Sequence, residues 1–291
     1  MLACRTAAFA TALLLVVAPA AAAPITRSFT LTDGNAEVVV NPATGVVVWK
    51  TDGERGNAFL VGHFLRRPED DIERRLREVF GTAPDGLIAR DRARLSWRSE
   101  TLGADLELVL QGGPAGSGHS RLLRSLTLAN LGVAPLSLVV FDYIDLDGVF
   151  DQFNQRDRTR LAAPSVLETR NETRPELLLR TVVSPSPQAW QIADWRDLYF
   201  RFVIDRDGRT VLANTPAVGD WVPSAGAGDQ AAVFSWAVTL APGQRARFET
   251  VSERIIPKPA SGAVLGLALA MLAAVQRVTA PLRPRRGSSH F

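Results

Sequence analysis

Cysteine is almost missing from this sequence: 291 residues hold one, Cys4. A disulfide scaffold is therefore excluded. Histidine is scarce too. His63, His119 and His290 show no HExxH-type spacing, so neither a zinc site nor a Ser-His-Asp set can be assigned. The glycines from Gly112 to Gly118 lack a following Lys-Ser/Thr pair and a helix, which excludes a phosphate-binding loop. Lysine occurs only at 50 and 258; arginine supplies the other basic residues. With 46% apolar and 22% charged residues, the chain is an ordinary globular sequence, long enough for one large domain or two small ones.

The net charge of +3 belongs to the ends. Residues 1–23 carry one base (Arg5) and residues 257–291 carry five (Lys258, Arg277, Arg283, Arg285 and Arg286), with no acid in either segment. Residues 24–256 hold the remaining 27 bases against all 30 acids, a net of −3. A nucleic-acid surface is not expected on such a body.

The N-terminus has one positive charge, an apolar run from Ala7 to Ala18 and small residues up to Ala23, the pattern of a secretory signal peptide ending at Ala22. The C-terminus places Pro257-Lys258-Pro259 before sixteen small and apolar residues, Ala260 to Val275, and then Arg277 and an arginine-rich tail. As a helix this run would extend about 24 Å, slightly short of a hydrocarbon core of about 30 Å. Its flanking arginines predict that end on the cytoplasmic side.

This C-terminal arrangement resembles the PEP-CTERM sorting signal of Gram-negative bacteria. Lys258 stands where that family usually has Glu, and the tail beyond Arg277 is longer. The resemblance implies removal by signal peptidase at one end and recognition by an exosortase-type membrane enzyme at the other. It further implies a transient inner-membrane stage, then display at the cell surface or release. Pro257, Lys258 and Pro259 would form the processing motif. Stretches of the body, Gln111–Gly118, Leu126–Gly132, Phe141–Gly148 and Phe234–Gly243, also look like parts of secreted PEP-CTERM proteins.

Residues 23–255 read as one all-β domain between signal segments 1–22 and 256–291. Period-two alternation and turn residues predict a β-sandwich of about a dozen short antiparallel strands. Ala36–Val40 and Val46–Lys50 flank a loop with Pro42 early and Gly45 late, a hairpin signal. Residues 198–205 and 210–214 are read as a second hairpin around Gly208. Pro68–Phe80 is read as the one helix, with Glu69, Asp70 and Asp71 in its first turn.

Two groups of residues suggest chemistry. Asp142, Asp145, Asp147 and Asp151 are the densest acidic cluster. Asp145, Asp147 and Asp151, with Gly148 for a bend, suit a calcium loop, although the closing acidic residue of an EF-hand is lacking. Solvated or turn-capping aspartates are the simpler reading, and a glycosidase pair is a third. Trp190, Trp195 and Trp221 lie among prolines and glycines. Loop packing is their simpler reading, and stacking on sugar rings is the functional one. Trp49, Trp97 and Trp236 fall in strands and are assigned to the core.

These observations predict an exported, non-enzymatic envelope or matrix protein with no cofactor, a calcium ion at the aspartates being the alternative. A carbohydrate-binding module using the three tryptophans is the alternative, with extracellular polysaccharide as partner. A glycan hydrolase or lyase using the aspartates ranks third.

Overall fold

The computed structural model describes residues 22–56, 58–146, 157–172, 174, 176–204, 208–222 and 229–256. Both expected targeting segments, including Pro257, Lys258 and Pro259, lie outside these residues. Among the described residues no helix is long and apolar enough to cross a membrane.

The chain folds mostly as β-structure, in two antiparallel sheets packed face to face. The first has ten strands, in the order Ala23–Pro24, Asp85–Ile88, Arg92–Arg98, Leu102–Gly112, His119–Asn130, Arg245–Ile255, Leu178–Ser184, Val166–Asn171, Asp157–Ala163 and Trp221–Val222. The second follows the order Ala189–Asp194, Gln230–Leu240, Leu136–Leu146, Ala58–Arg66, Gly45–Thr51, Ala36–Asn41 and Phe29–Asp33. Two short strands, Glu54–Gly56 and Arg74–Arg75, pair onto it at the side.

Alternation decides which face each strand buries. In Arg92–Arg98, Ala93, Leu95 and Trp97 point into the sandwich while Arg92, Arg94 and Arg98 point out. Leu102, Leu126, Leu128, Val140, Trp236 and Phe248 extend the same core across both sheets. Each such side chain contributes roughly 1.5–3 kcal/mol on burial. The predicted hairpin over residues 36–51 is present. Gly45 closes its turn at φ 110°, where a Cβ would run into the carbonyl of Val61.

The second sheet is covered on its outer face as well. Phe64, Phe141, Tyr143 and Val233 pack there under Leu198, Phe202 and Leu212. This corrects the expected hairpin at 198–214. Trp195–Tyr199 is an α-helix continued by a π-helical turn, Phe200–Ile204, and the described residues 208–214 form no strand. The Asp194 side chain caps the helix by accepting from the Arg196 amide, and Leu198 and Phe202, four apart, both face the sheet. The helix expected over 68–80 is also corrected. It covers only Leu76–Phe80, because Asp70 accepts from the Arg67 amide in a turn and Arg74–Arg75 pair with the strand Ala58–Arg66. Strands at Asp157–Ala163, Val166–Asn171 and Ala189–Asp194 were not anticipated.

Candidate functional site

No helix or other described element packs over the outer face of the ten-stranded sheet, which distinguishes it from the second sheet. Residues directly opposite one another across antiparallel strands share a face. Register therefore builds a continuous row of side chains across seven strands of this open face. Gln111 stands opposite Arg121, Arg121 opposite Glu253, Glu253 opposite Arg180, Arg180 opposite Glu168, Glu168 opposite Arg160, and Arg160 opposite Trp221. At about 4.8 Å per strand the row runs roughly 29 Å.

The row is held from both ends. Arg160 donates to Glu168 Oε2 from Nε at 2.9 Å and from Nη2 at 2.6 Å, and its guanidinium lies 4.5 Å from the centre of the Trp221 ring. Arg170 approaches the same ring at 5.9 Å. At the other end Arg121 Nε stands 3.8 Å from Glu253 Oε1. The neighbouring row on one side is apolar, with Val109, Leu123, Val251, Val182 and Val166 in register. On the other side stand His119, Ile255, Leu178, Arg170 and Arg158. The open face thus offers a half-buried indole, rigid guanidinium forks, two carboxylates and a hydrophobic strip, the mixture that ligand sites use to combine stacking with oriented hydrogen bonds.

The interior holds a second polar cluster. Arg124 on the first sheet donates two hydrogen bonds of 2.9 Å to Asp142 on the second, and the Thr250 hydroxyl donates to the same carboxylate at 2.5 Å. His63 Nε2 stands 3.8 Å from Asp142 Oδ1 and has no hydrogen-bond partner. Burial is the main cause that lowers the His63 pKa to about 4; Asp142 opposes it and Arg124 adds to it. A cavity lined by Val46, Val61, Leu76, Trp97, His63 and Arg124 adjoins this cluster, with about 40 Å³ of free space. That is room for about three water molecules and too little for a sugar ring.

The residues singled out from sequence separate widely. Asp145 is fully buried on the covered face of the second sheet, its Oδ1 has no hydrogen-bond partner, and the Tyr143 hydroxyl donates to Oδ2 at 3.5 Å. Burial, then the charge of Asp229, hold its carboxyl well above the usual carboxylate range. Asp142 is spent on Arg124. Asp147 and Asp151 lie outside the described residues, among which no three His, Cys, Asp or Glu side chains are placed to hold a metal ion. Trp190 is not in a loop. It sits in the strand Ala189–Asp194, packs against the main core and donates from Nε1 to the Pro216 carbonyl at 3.1 Å. Trp195 opens the short helix and packs against Tyr199 with ring centres 5.7 Å apart. Of the three, Trp221 alone joins the open face. Arg121, Arg160, Glu168, Arg180 and Glu253 were all missed. The alternation Arg158-Thr159-Arg160 and Glu168-Thr169-Arg170 around Ala163-Pro164-Ser165 was the signal for the strands that carry Arg160 and Glu168.

No protein-family model matches the chain, and no curated protein matches it in sequence. Solved structures do resemble it. An aldose 1-epimerase-like protein of Escherichia coli K12 is 10% identical, with a TM-score of 0.47 over 79% of this chain and 99% of that one. A GalM/aldose epimerase homologue of C. elegans is 9% identical, with a TM-score of 0.48 over 79% of this chain and 100% of that one. A polysaccharide lyase is 11% identical, with a TM-score of 0.46 over 76% of this chain and 32% of that one. These matches stand against the expectation of a non-enzymatic matrix protein. The likeness is one of fold, and the chemistry is read from this chain's own residues.

Proposed function

We propose that this is a carbohydrate-active protein whose glycan lies along the open face of the ten-stranded sheet. The observation that carries this reading is the row from Arg121 to Trp221. Its flat aromatic end suits the C–H face of a sugar ring, and its guanidinium groups and carboxylates suit the hydroxyls. The interior cavity is too small to compete as the binding site. Fluorescence titration and a glycan array with the purified protein test the reading. A glycan that quenches tryptophan emission in the wild type and loses binding in Trp221→Ala supports it. A glycan that binds the Trp221→Ala variant unchanged contradicts it.

Export, exosortase processing at Pro257, Lys258 and Pro259, and a surface location belong to the same proposal. They are supported by the sequence of the two ends. Mass spectrometry of the protein from its native host tests them by locating both termini.

A further inference from the structure

Arg180 stands at the centre of the row, exposed, directly opposite Glu168 on one side and Glu253 on the other. Neither glutamate pairs with it. Glu168 is taken by Arg160, and Glu253 faces Arg121. Among the described residues Arg180 therefore has no ion pair, although it stands between two acids. Next to it, Arg170 is set directly opposite Arg158, a like-charge pairing that destabilises a sheet. Arg158 is compensated by Glu172 at 3.4 Å, whereas among the described residues Arg170 has only the Trp221 ring. These two rows hold five arginines (121, 158, 160, 170 and 180) against two glutamates (168 and 253), on a body whose net charge is −3.

Arg180 thus stands unpaired between a carboxylate held by Arg160 and one that lies 3.8 Å from Arg121, beside a second guanidinium under like-charge repulsion. A planar guanidinium binds a carboxylate through two parallel hydrogen bonds, and its donors are rigidly placed. We infer that the glycan bound by the open face is acidic, a chain of carboxylated sugars, with one carboxylate received by Arg180. Trp221 lies three strand spacings away, about 14 Å, so the stacked ring and the docked carboxylate belong to different sugars of one chain. This inference rests on the glycan reading of the face and adds its charge.

The test is calorimetric titration of the full-length protein with polygalacturonate, its methyl-esterified form and poly-L-glutamate. Arg180→Ala, Arg180→Lys and Arg245→Ala are compared with the wild type. Arg245 is an exposed arginine of the same sheet, opposite Ala129, and serves as the control. The expected result is binding of polygalacturonate alone, weakened about tenfold or more by Arg180→Ala, partly restored by Arg180→Lys and unchanged by Arg245→Ala. Equal binding of the esterified polymer leaves the glycan reading in place and overturns the acidic one. Equal binding of poly-L-glutamate, or equal loss in Arg245→Ala, shows general adhesion of polyanions and overturns it as well. Binding of neither sugar polymer counts against both readings.

Discussion

Arg124 and Asp142 join the two sheets through the middle of the core, with Nη1 donating to Oδ1 and Nη2 to Oδ2, each at 2.9 Å. Their side chains are 2% and 0% exposed. Each charge is tolerable there only because the other is present. Arg124→Ala or Asp142→Ala alone should cost about 3–5 kcal/mol, because each leaves a buried charge uncompensated. The double variant Arg124→Met/Asp142→Leu should lose less than either. Urea unfolding of the three variants checks this.

His63 makes the same region acid-sensitive. Its folded pKa is about 4, against an ordinary 6.5. The unfolded chain thus takes a proton that the folded one refuses, so stability is full above about pH 6.5 and falls as pH drops towards 4. The total loss from this group is about 3 kcal/mol. Thermal melts of His63→Gln between pH 7 and 4 should be flatter than those of the wild type.

Asp145 works in the opposite direction. Its folded pKa is raised by burial and by Asp229, so the folded state keeps a proton that the unfolded chain releases above its ordinary value near 3.8. It therefore costs stability increasingly as pH rises through and above the carboxylate range. Asp145→Asn should raise the melting temperature at pH 8 and change it little at pH 4. A lower melting temperature at pH 8 would mean that this carboxyl is stabilised as an anion.

The tryptophans separate stability from function. Trp190→Ala should cost about 2–3 kcal/mol, because it empties part of the core edge and frees the Pro216 carbonyl. Trp221→Ala should leave the unfolding midpoint nearly unchanged and abolish glycan binding. Unfolding curves and fluorescence titration on the two variants give the contrast.

Where apolar residues alternate, the strands were legible in the sequence. Ala36–Asn41 and Gly45–Thr51 were expected within a residue of their observed ends. Asp157–Ala163 and Val166–Asn171 were not, because this end of the sandwich has a polar interior. Thr159 meets Thr169 at 3.0 Å, Asn171 donates to Asp157 at 3.0 Å, and Thr181 meets Ser252 at 2.9 Å. Inward threonines erase the hydrophobic period that marks a strand. Leu198 and Phe202 fit a strand and a helix equally, and only the Asp194 cap decides between them. The polar row of the open face was illegible for a different reason. Arg121, Arg160, Glu168, Arg180 and Glu253 are scattered along the chain, and it is strand register that brings them into one row.

Hydrogen–deuterium exchange with and without polygalacturonate tests most directly whether the open face is where a glycan binds. Protection is predicted in Asp157–Ala163, Val166–Asn171, Leu178–Ser184 and Trp221–Val222, and it should disappear in Arg180→Ala. Protection confined to Ala58–Arg66 and Leu136–Leu146 of the other sheet, or no protection while calorimetry reports binding, would contradict it.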